Sequence, residues 1–177
     1  MNITVYLGAC EGCDPHLKQA VRELGAWIGA SGNSLVYGGS KTGLMGELAS
    51  AALEAGAEVT GVEPQFFVDS VLQLEGLTRL IVTPDIAQRK AKMIELGDAF
   101  VAFPGGTGTL EEISQIMSMI GLGQLDAPCV FYNLNGYYNP MAEQLDRMLA
   151  CDLTSPERLH GISFARDLDE LVACLQA

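Results

Sequence analysis

Ala99-Phe100-Val101-Ala102-Phe103-Pro104-Gly105-Gly106-Thr107-Gly108-Thr109-Leu110-Glu111-Glu112 runs from an unbroken apolar segment through a glycine-rich turn to a pair of carboxylates. An apolar run of this length, closed by proline and glycine, predicts a strand over residues 99–103 that is covered on both faces, as strands of parallel sheets are. The turn predicts a phosphate cradle. Its glycines and threonines leave backbone N–H groups unobstructed, and the apolar-periodic stretch 110–119 that follows sets them at a helix N-terminus, where anions are favoured. Glu111 and Glu112 begin that helix, so one of them can reach past a bound phosphate to the sugar of a nucleotide.

The same strand, turn and helix pattern extends in both directions. Residues 3–7 read as a strand, and 15–30 as a helix with Leu17, Val21, Leu24 and Ile28 at helical spacing. Residues 34–37 form a second strand, Gly38-Gly39-Ser40 a sharp turn, and 44–55 a helix closed by Gly56. Strands follow at 58–62, stopped by Pro64, and at 80–82; a helix over 86–96 is closed by Gly97. A strand at 129–133, helices at 138–150 and 168–176, and a short strand at 163–165 complete the chain. Residues 65–78 read as a lid or a crossover helix. This alternation predicts an α/β fold: one Rossmann-like domain over 1–177, a doubly wound parallel sheet with helices on both faces and right-handed crossovers. Such sheets bind ligands outside the carboxyl ends of their strands, where strand order reverses. The turns at 8–10, 38–40 and 104–109 all fall at that edge.

Composition narrows the partners. The chain has 177 residues, 49% of them hydrophobic, and a net charge of −12 with ten Lys and Arg. That balance repels the phosphate backbone of DNA or RNA, so no nucleic-acid partner is expected, while a small anion remains compatible with local N–H groups. No stretch reaches the ~20 apolar residues that span a bilayer, and the start of the chain lacks the features of a signal peptide, so a cytoplasmic protein without membrane contact is expected. Five cysteines without framework spacing suit free thiols. Cys10-Glu11-Gly12-Cys13 with His16 resembles a redox pair or an incomplete metal site, and equally an ordinary glycine-containing loop.

Two common nucleotide fingerprints fail. The glycine turn lacks the lysine of a P-loop, and no G-x-G-x-x-G follows the first strand, which disfavours ATP hydrolysis and NAD binding. A monophosphate fits the short cradle better.

Three motifs in order, Tyr37-Gly38-Gly39-Ser40-Lys41-Thr42-Gly43-Leu44-Met45-Gly46, Arg89-Lys90-Ala91-Lys92-Met93 and Pro104 to Glu112, resemble those of the Lonely Guy (LOG) family of cytokinin riboside 5′-monophosphate phosphoribohydrolases, with its PGGxGTxxE signature and upstream Arg-Lys pair. Gly61-Val62-Glu63-Pro64 and Asn135-Gly136-Tyr137-Tyr138-Asn139 extend the resemblance over nearly the whole chain. It implies hydrolysis of the N-glycosidic bond of a nucleoside 5′-monophosphate, AMP or N6-substituted AMP, giving free base and ribose 5-phosphate without metal or organic cofactor, in a homodimer. The catalytic pair falls on Arg89 and Glu112. A carboxylate can stabilise the oxocarbenium character of the breaking bond and orient water, and an arginine, always protonated, can only position. Substrate contacts are expected from Gly39, Gly43, Met45, Lys90, Gly106, Thr107, Gly108 and Thr109. Glu111 joins them or serves the helix start.

The chain departs from the family pattern at Ile86-Ala87-Gln88, where Met-His is common, at Thr107, often aromatic, at Ala9, and at Val71, near an expected acidic contact. These departures fall on base recognition more than on phosphate recognition. A non-catalytic nucleotide-binding or carrier module of the same fold is the alternative. The older lysine decarboxylase label for the family finds no residue pattern for pyridoxal phosphate here.

Overall fold

The computed structural model describes residues 1–70 and 72–176; Val71 and Ala177 lie outside the described residues. Apolar runs form strands and periodic runs form helices in the order β1 (Asn2–Tyr6), α1 (His16–Ala30), β2 (Ser34–Tyr37), α2 (Gly43–Glu54), β3 (Val59–Pro64), α3 (Gln65–Val68), β4 (Arg79–Thr83), α4 (Ile86–Leu96), β5 (Ala99–Ala102), α5 (Thr107–Gly121), β6 (Cys129–Tyr132), α6 (Asn139–Ala150), β7 (Ile162–Ala165) and α7 (Leu168–Gln176). Short 3-10 turns occupy Leu134–Gly136 and Pro156–Leu159.

Among the described residues the strands make one seven-stranded sheet in the order β4-β3-β2-β1-β5-β6-β7, and every pairing is parallel. This is the expected doubly wound α/β arrangement. β5, the strand quoted above, lies near the centre, with Val101 opposite Val5 on one side and Val130 on the other. All four of its residues are buried, because helices cover both faces. One core layer joins Ile3, Val5 and Leu35 to Leu24 and Ile28 of α1, Leu48 of α2 and Leu171 of α7. The other joins Phe100 and Phe131 to Met93 of α4 and to Ile113 and Ile116 of α5.

On the first face α1 and α2 pack at backbone contact. A Cβ added at Gly25 would lie 2.4 Å from the Leu48 carbonyl oxygen, and one at Gly29 would lie 2.7 Å from the Ala55 Cβ. Because α1 follows β1 and α2 follows β2, this spacing sets the separation of the two loops that enter them. α4 starts at Asp85, whose carboxylate accepts the Gln88 N–H at 2.8 Å.

Some boundaries differ from the sequence reading. β3 continues through Pro64, opposite Thr83, since a proline at a strand end still offers its carbonyl. Among its described residues the 65–78 segment holds one helix, the four-residue α3, with Gln73 bridging Ser40 in antiparallel sense. α5 begins at Thr107, not Leu110, so Glu111 and Glu112 fall in its second turn and do not begin the helix.

Candidate active site

β1 is where strand order reverses, since β2 lies on one side and β5 on the other. The loops leaving β1 and β5 meet there: a Cβ at Gly8 would lie 3.4 Å from the Gly105 Cα, and one at Gly105 would lie 2.9 Å from the Gly8 nitrogen. Beside them opens a crevice of about 540 Å³, within the roughly 300–1,000 Å³ of small-molecule sites. Gly8 to Cys10 and Gly12 form one side, Pro104 to Thr109 the floor, and Leu44, Met45, Phe67 and Ile86 an apolar wall. Arg89, Glu111, Glu112 and Tyr137 also line it, with Leu7 and Leu17.

The floor is the N-terminus of α5. Gly106 is its N-cap in extended geometry, without a side-chain cap. A Cβ at Gly106 or Gly108 would meet nothing within 4 Å, so this end of the helix faces open space with its first N–H groups unscreened. Gly106, Thr107, Gly108 and Thr109 all line the crevice.

Arg89 and Glu112 are each 7% exposed and face one another from α4 and α5. The Arg89 Nη1 donates to Glu112 Oε1 at 2.6 Å and Nε donates to the Val62 carbonyl at 2.9 Å. A Cβ at Gly38 would stand 2.5 Å from Arg89 Nη2, so a larger residue there would displace the guanidinium. Burial holds the Glu112 carboxyl above the ordinary carboxylate range, against the opposing pull of Arg89. The Tyr6 hydroxyl is pushed up by burial and then by the Glu112 charge, which places the β1 tyrosine beside the pair.

The remaining expected residues divide. Met45 is part of the wall. Gly43 packs outside the lining residues: its φ is +54°, and a Cβ would fall 2.1 Å from the Ala9 carbonyl oxygen, so it lets α2 start against the β1 loop. Gly39, at φ +86°, likewise packs under the Glu63 Cγ. Lys90 ion-pairs with Glu111, and Glu111, in the second turn of α5, serves that pair and not the helix start, because the helix dipole acts within the first turn. His16 Nδ1 lies 2.8 Å from Asp14 Oδ1, and among the described residues no group of three or more His, Cys, Asp or Glu side chains could hold a metal ion. Ile86 enters the apolar wall, while Gln88 is engaged by Asp85.

Sequence reasoning missed three features. Glu63 on β3 is 0% exposed with no hydrogen-bond partner for either carboxyl oxygen, and the Tyr37 hydroxyl is likewise unpartnered. Burial pushes the Glu63 carboxyl upward, with Arg89 pulling it down. Phe67 of α3 reaches the crevice wall from the 65–78 segment. Tyr137 lines the crevice and donates from its hydroxyl to the Gly105 carbonyl. The Asn-Gly-Tyr-Tyr-Asn motif was the signal for this last contact, although its partner lies 32 residues earlier.

Known proteins resemble this chain along nearly its whole length. A family described as "Possible lysine decarboxylase" matches residues 45–175. The cytokinin riboside 5′-monophosphate phosphoribohydrolase of Rhodococcoides fascians is 38% identical over 177 residues, covering 99% of this chain and 89% of that protein. An Arabidopsis thaliana protein of the same name is 36% identical over 174 residues, covering 98% of this chain and 82% of that protein. Among solved structures, the molybdenum cofactor carrier protein of Chlamydomonas reinhardtii superposes with a TM-score of 0.75 at 22% identity, covering 99% of this chain and 95% of that one, a likeness of fold. Pyridoxal phosphate, which a lysine decarboxylase would need, does not fit this crevice: among the described residues lining it there is no lysine to form a Schiff base.

Proposed function

The chain belongs to the Lonely Guy family, which also carries the lysine decarboxylase description, and on that premise we propose that it hydrolyses the N-glycosidic bond of a nucleoside 5′-monophosphate. The substrate is AMP or an N6-substituted AMP such as a cytokinin riboside 5′-monophosphate, and the products are free base and ribose 5-phosphate. The observation that carries the reading is the buried Arg89–Glu112 pair standing in the same crevice as the open N-terminus of α5.

The chemistry follows from that juxtaposition. Phosphate is held by the unscreened N–H groups of residues 106–109. As the bond between ribose and base breaks, positive charge develops on the sugar ring, and a carboxylate in a partly dehydrated site stabilises it more than water would. Glu112 supplies that charge and orients or deprotonates the attacking water. Arg89 occupies Oε1, so Oε2 is the oxygen left for water or ribose. Arg89 holds its partner in place, and its own position is fixed by the Val62 carbonyl and by the space over Gly38. Gly39, Gly43 and Lys90 contribute by shaping and pairing around the crevice, and Met45 with Phe67 and Ile86 accepts the flat base.

Incubating the purified protein with AMP, isopentenyl-adenosine monophosphate and a panel of other nucleoside monophosphates, then separating the products by chromatography, should show free base. Intact binding with no base from any of them would overturn the reading in favour of a carrier.

The proposal includes a homodimer. Leu110 and Leu122 of the α5 region are 43% and 65% exposed and Met119 is half-buried, and none of the three packs against either core cluster, whereas Met117 and Ile120 do. A monomeric mass by light scattering would count against it. A cytoplasmic location is part of the same reading, supported by free cysteines, three of them exposed.

A further inference from the structure

We propose that Tyr137 is a positioning residue for phosphate recognition, acting through the peptide between Gly105 and Gly106; this rests on the reading that residues 106–109 hold the substrate phosphate. In the loop between β5 and α5 the Phe103 N–H donates to the Tyr6 carbonyl at 2.9 Å and the Gly106 carbonyl accepts the Leu110 N–H at 3.1 Å, and the carbonyls of Phe103 and Gly105 are taken by adjacent tyrosines. The Tyr138 hydroxyl donates to the Phe103 carbonyl at 2.9 Å, buried, and the Tyr137 hydroxyl donates to the Gly105 carbonyl.

The second bond determines a direction. A trans peptide is planar, with its carbonyl and the following N–H pointing opposite ways, so fixing the Gly105 oxygen fixes the Gly106 N–H. Glycine on both sides of that peptide makes rotation of its plane easy. No side-chain packing opposes it at Gly106, where a Cβ would meet nothing within 4 Å. Rotation would turn a carbonyl oxygen where an N–H is needed, and an anion would then face a partial negative charge.

Tyr137 is built to resist this although it is 51% exposed. Its ring stands perpendicular to Tyr138 at 4.9 Å, and Tyr138 packs edge-on against Phe131 at 5.0 Å. The turn that presents both tyrosines is pinned. Asn133 Oδ1 accepts the Tyr138 N–H at 2.6 Å, Asn133 Nδ2 donates to Asn139 Oδ1 at 2.8 Å, and Asn135 Nδ2 donates to Asp14 Oδ2 at 2.8 Å. Asn135 is held at φ 51°, a conformation rare outside glycine, which these bonds maintain.

The experiment compares wild type with Tyr137→Phe for three probes: the KM for AMP, and calorimetric Kd values for inorganic phosphate and for adenosine. Losing one hydrogen bond of ordinary strength should raise the phosphate Kd and the AMP KM by about 3- to 10-fold, with kcat changed less and adenosine binding unchanged. A smaller folded fraction would lower the number of calorimetric sites and the apparent kcat without moving Kd or KM. Unchanged phosphate binding overturns the proposal. So does an equal loss for adenosine, which would mean that Tyr137 touches sugar or base directly. Absence of turnover in wild type of AMP and of every other nucleoside monophosphate in the panel would overturn the functional reading, and the phosphate measurement would still decide the role of Tyr137.

Discussion

Replacing Arg89 by methionine should destabilise the protein chiefly by stranding the Glu112 charge. The two side chains are 9% and 8% exposed and 2.6 Å apart, and removing one member of a buried pair costs about 3–5 kcal/mol. For a chain of this length that corresponds to a fall in Tm of roughly 6–20 °C. The cost depends on pH in a determined direction. Without the guanidinium burial dominates, with only the weaker charges of Glu111 and Lys90 beside it, and raises the folded-state pKa of Glu112 further above the unfolded value. The penalty is therefore full above the folded pKa and is relieved as pH falls through it. Thermal unfolding followed by circular dichroism at pH 8 and pH 5 should show the larger loss at pH 8. Arg89→Met combined with Glu112→Met should recover part of that loss, because no charge is then left in the core. If Arg89→Met were within 1 kcal/mol of wild type at pH 8, or if the double variant were no better than the single one, the picture of a desolvated charge pair would be wrong.

Glu112→Gln preserves the acceptor for Arg89 Nη1, so it should keep the fold while lowering kcat/KM by about 10²–10⁴, read from base release. Since Glu112 must be ionised to act and burial raises its pKa, kcat/KM should fall on the acid side at a pH above the ordinary carboxylate range; a profile flat down to pH 4 would refute this. Glu63→Met removes a buried carboxyl that has no hydrogen-bond partner and should stabilise the protein by about 1–3 kcal/mol. Its gain should be larger at pH 8 than at pH 5, because the raised pKa of Glu63 lets the wild type recover on protonation; urea titration at the two pH values measures both.

The layout of the fold was legible because its signal is local. Buried parallel strands such as 99–102 are apolar without interruption, and helices such as α1 repeat their apolar residues at helical spacing. The start of α5 was misjudged for an equally local reason: Thr-Gly-Thr is a weak helix former, and tertiary context overrode its propensity. Arg89 and Glu112 were found by resemblance, whereas their partnership is a matter of packing across 23 residues of chain. Glu63 was invisible as a buried acid, since one carboxylate at the end of an apolar strand looks the same whether its face is wet or dry. The contact of Tyr137 was not legible, because a hydroxyl reaching a carbonyl on another loop leaves no trace in spacing.

The close approach of α1 and α2 at Gly25 and Gly29 bears on how this crevice can be re-engineered or can diverge. The loops on that side enter two helices whose spacing is set by this backbone contact, away from the residues that line the crevice. On the proposed reading, Met45, Phe67 and Ile86 of the apolar wall are the positions at which to tailor the crevice for bulkier bases. A library built there is expected to sample new substrates, while a single methyl added at Gly25 or Gly29 would press on α2 and is expected to spread the two loops, weakening recognition of all substrates alike.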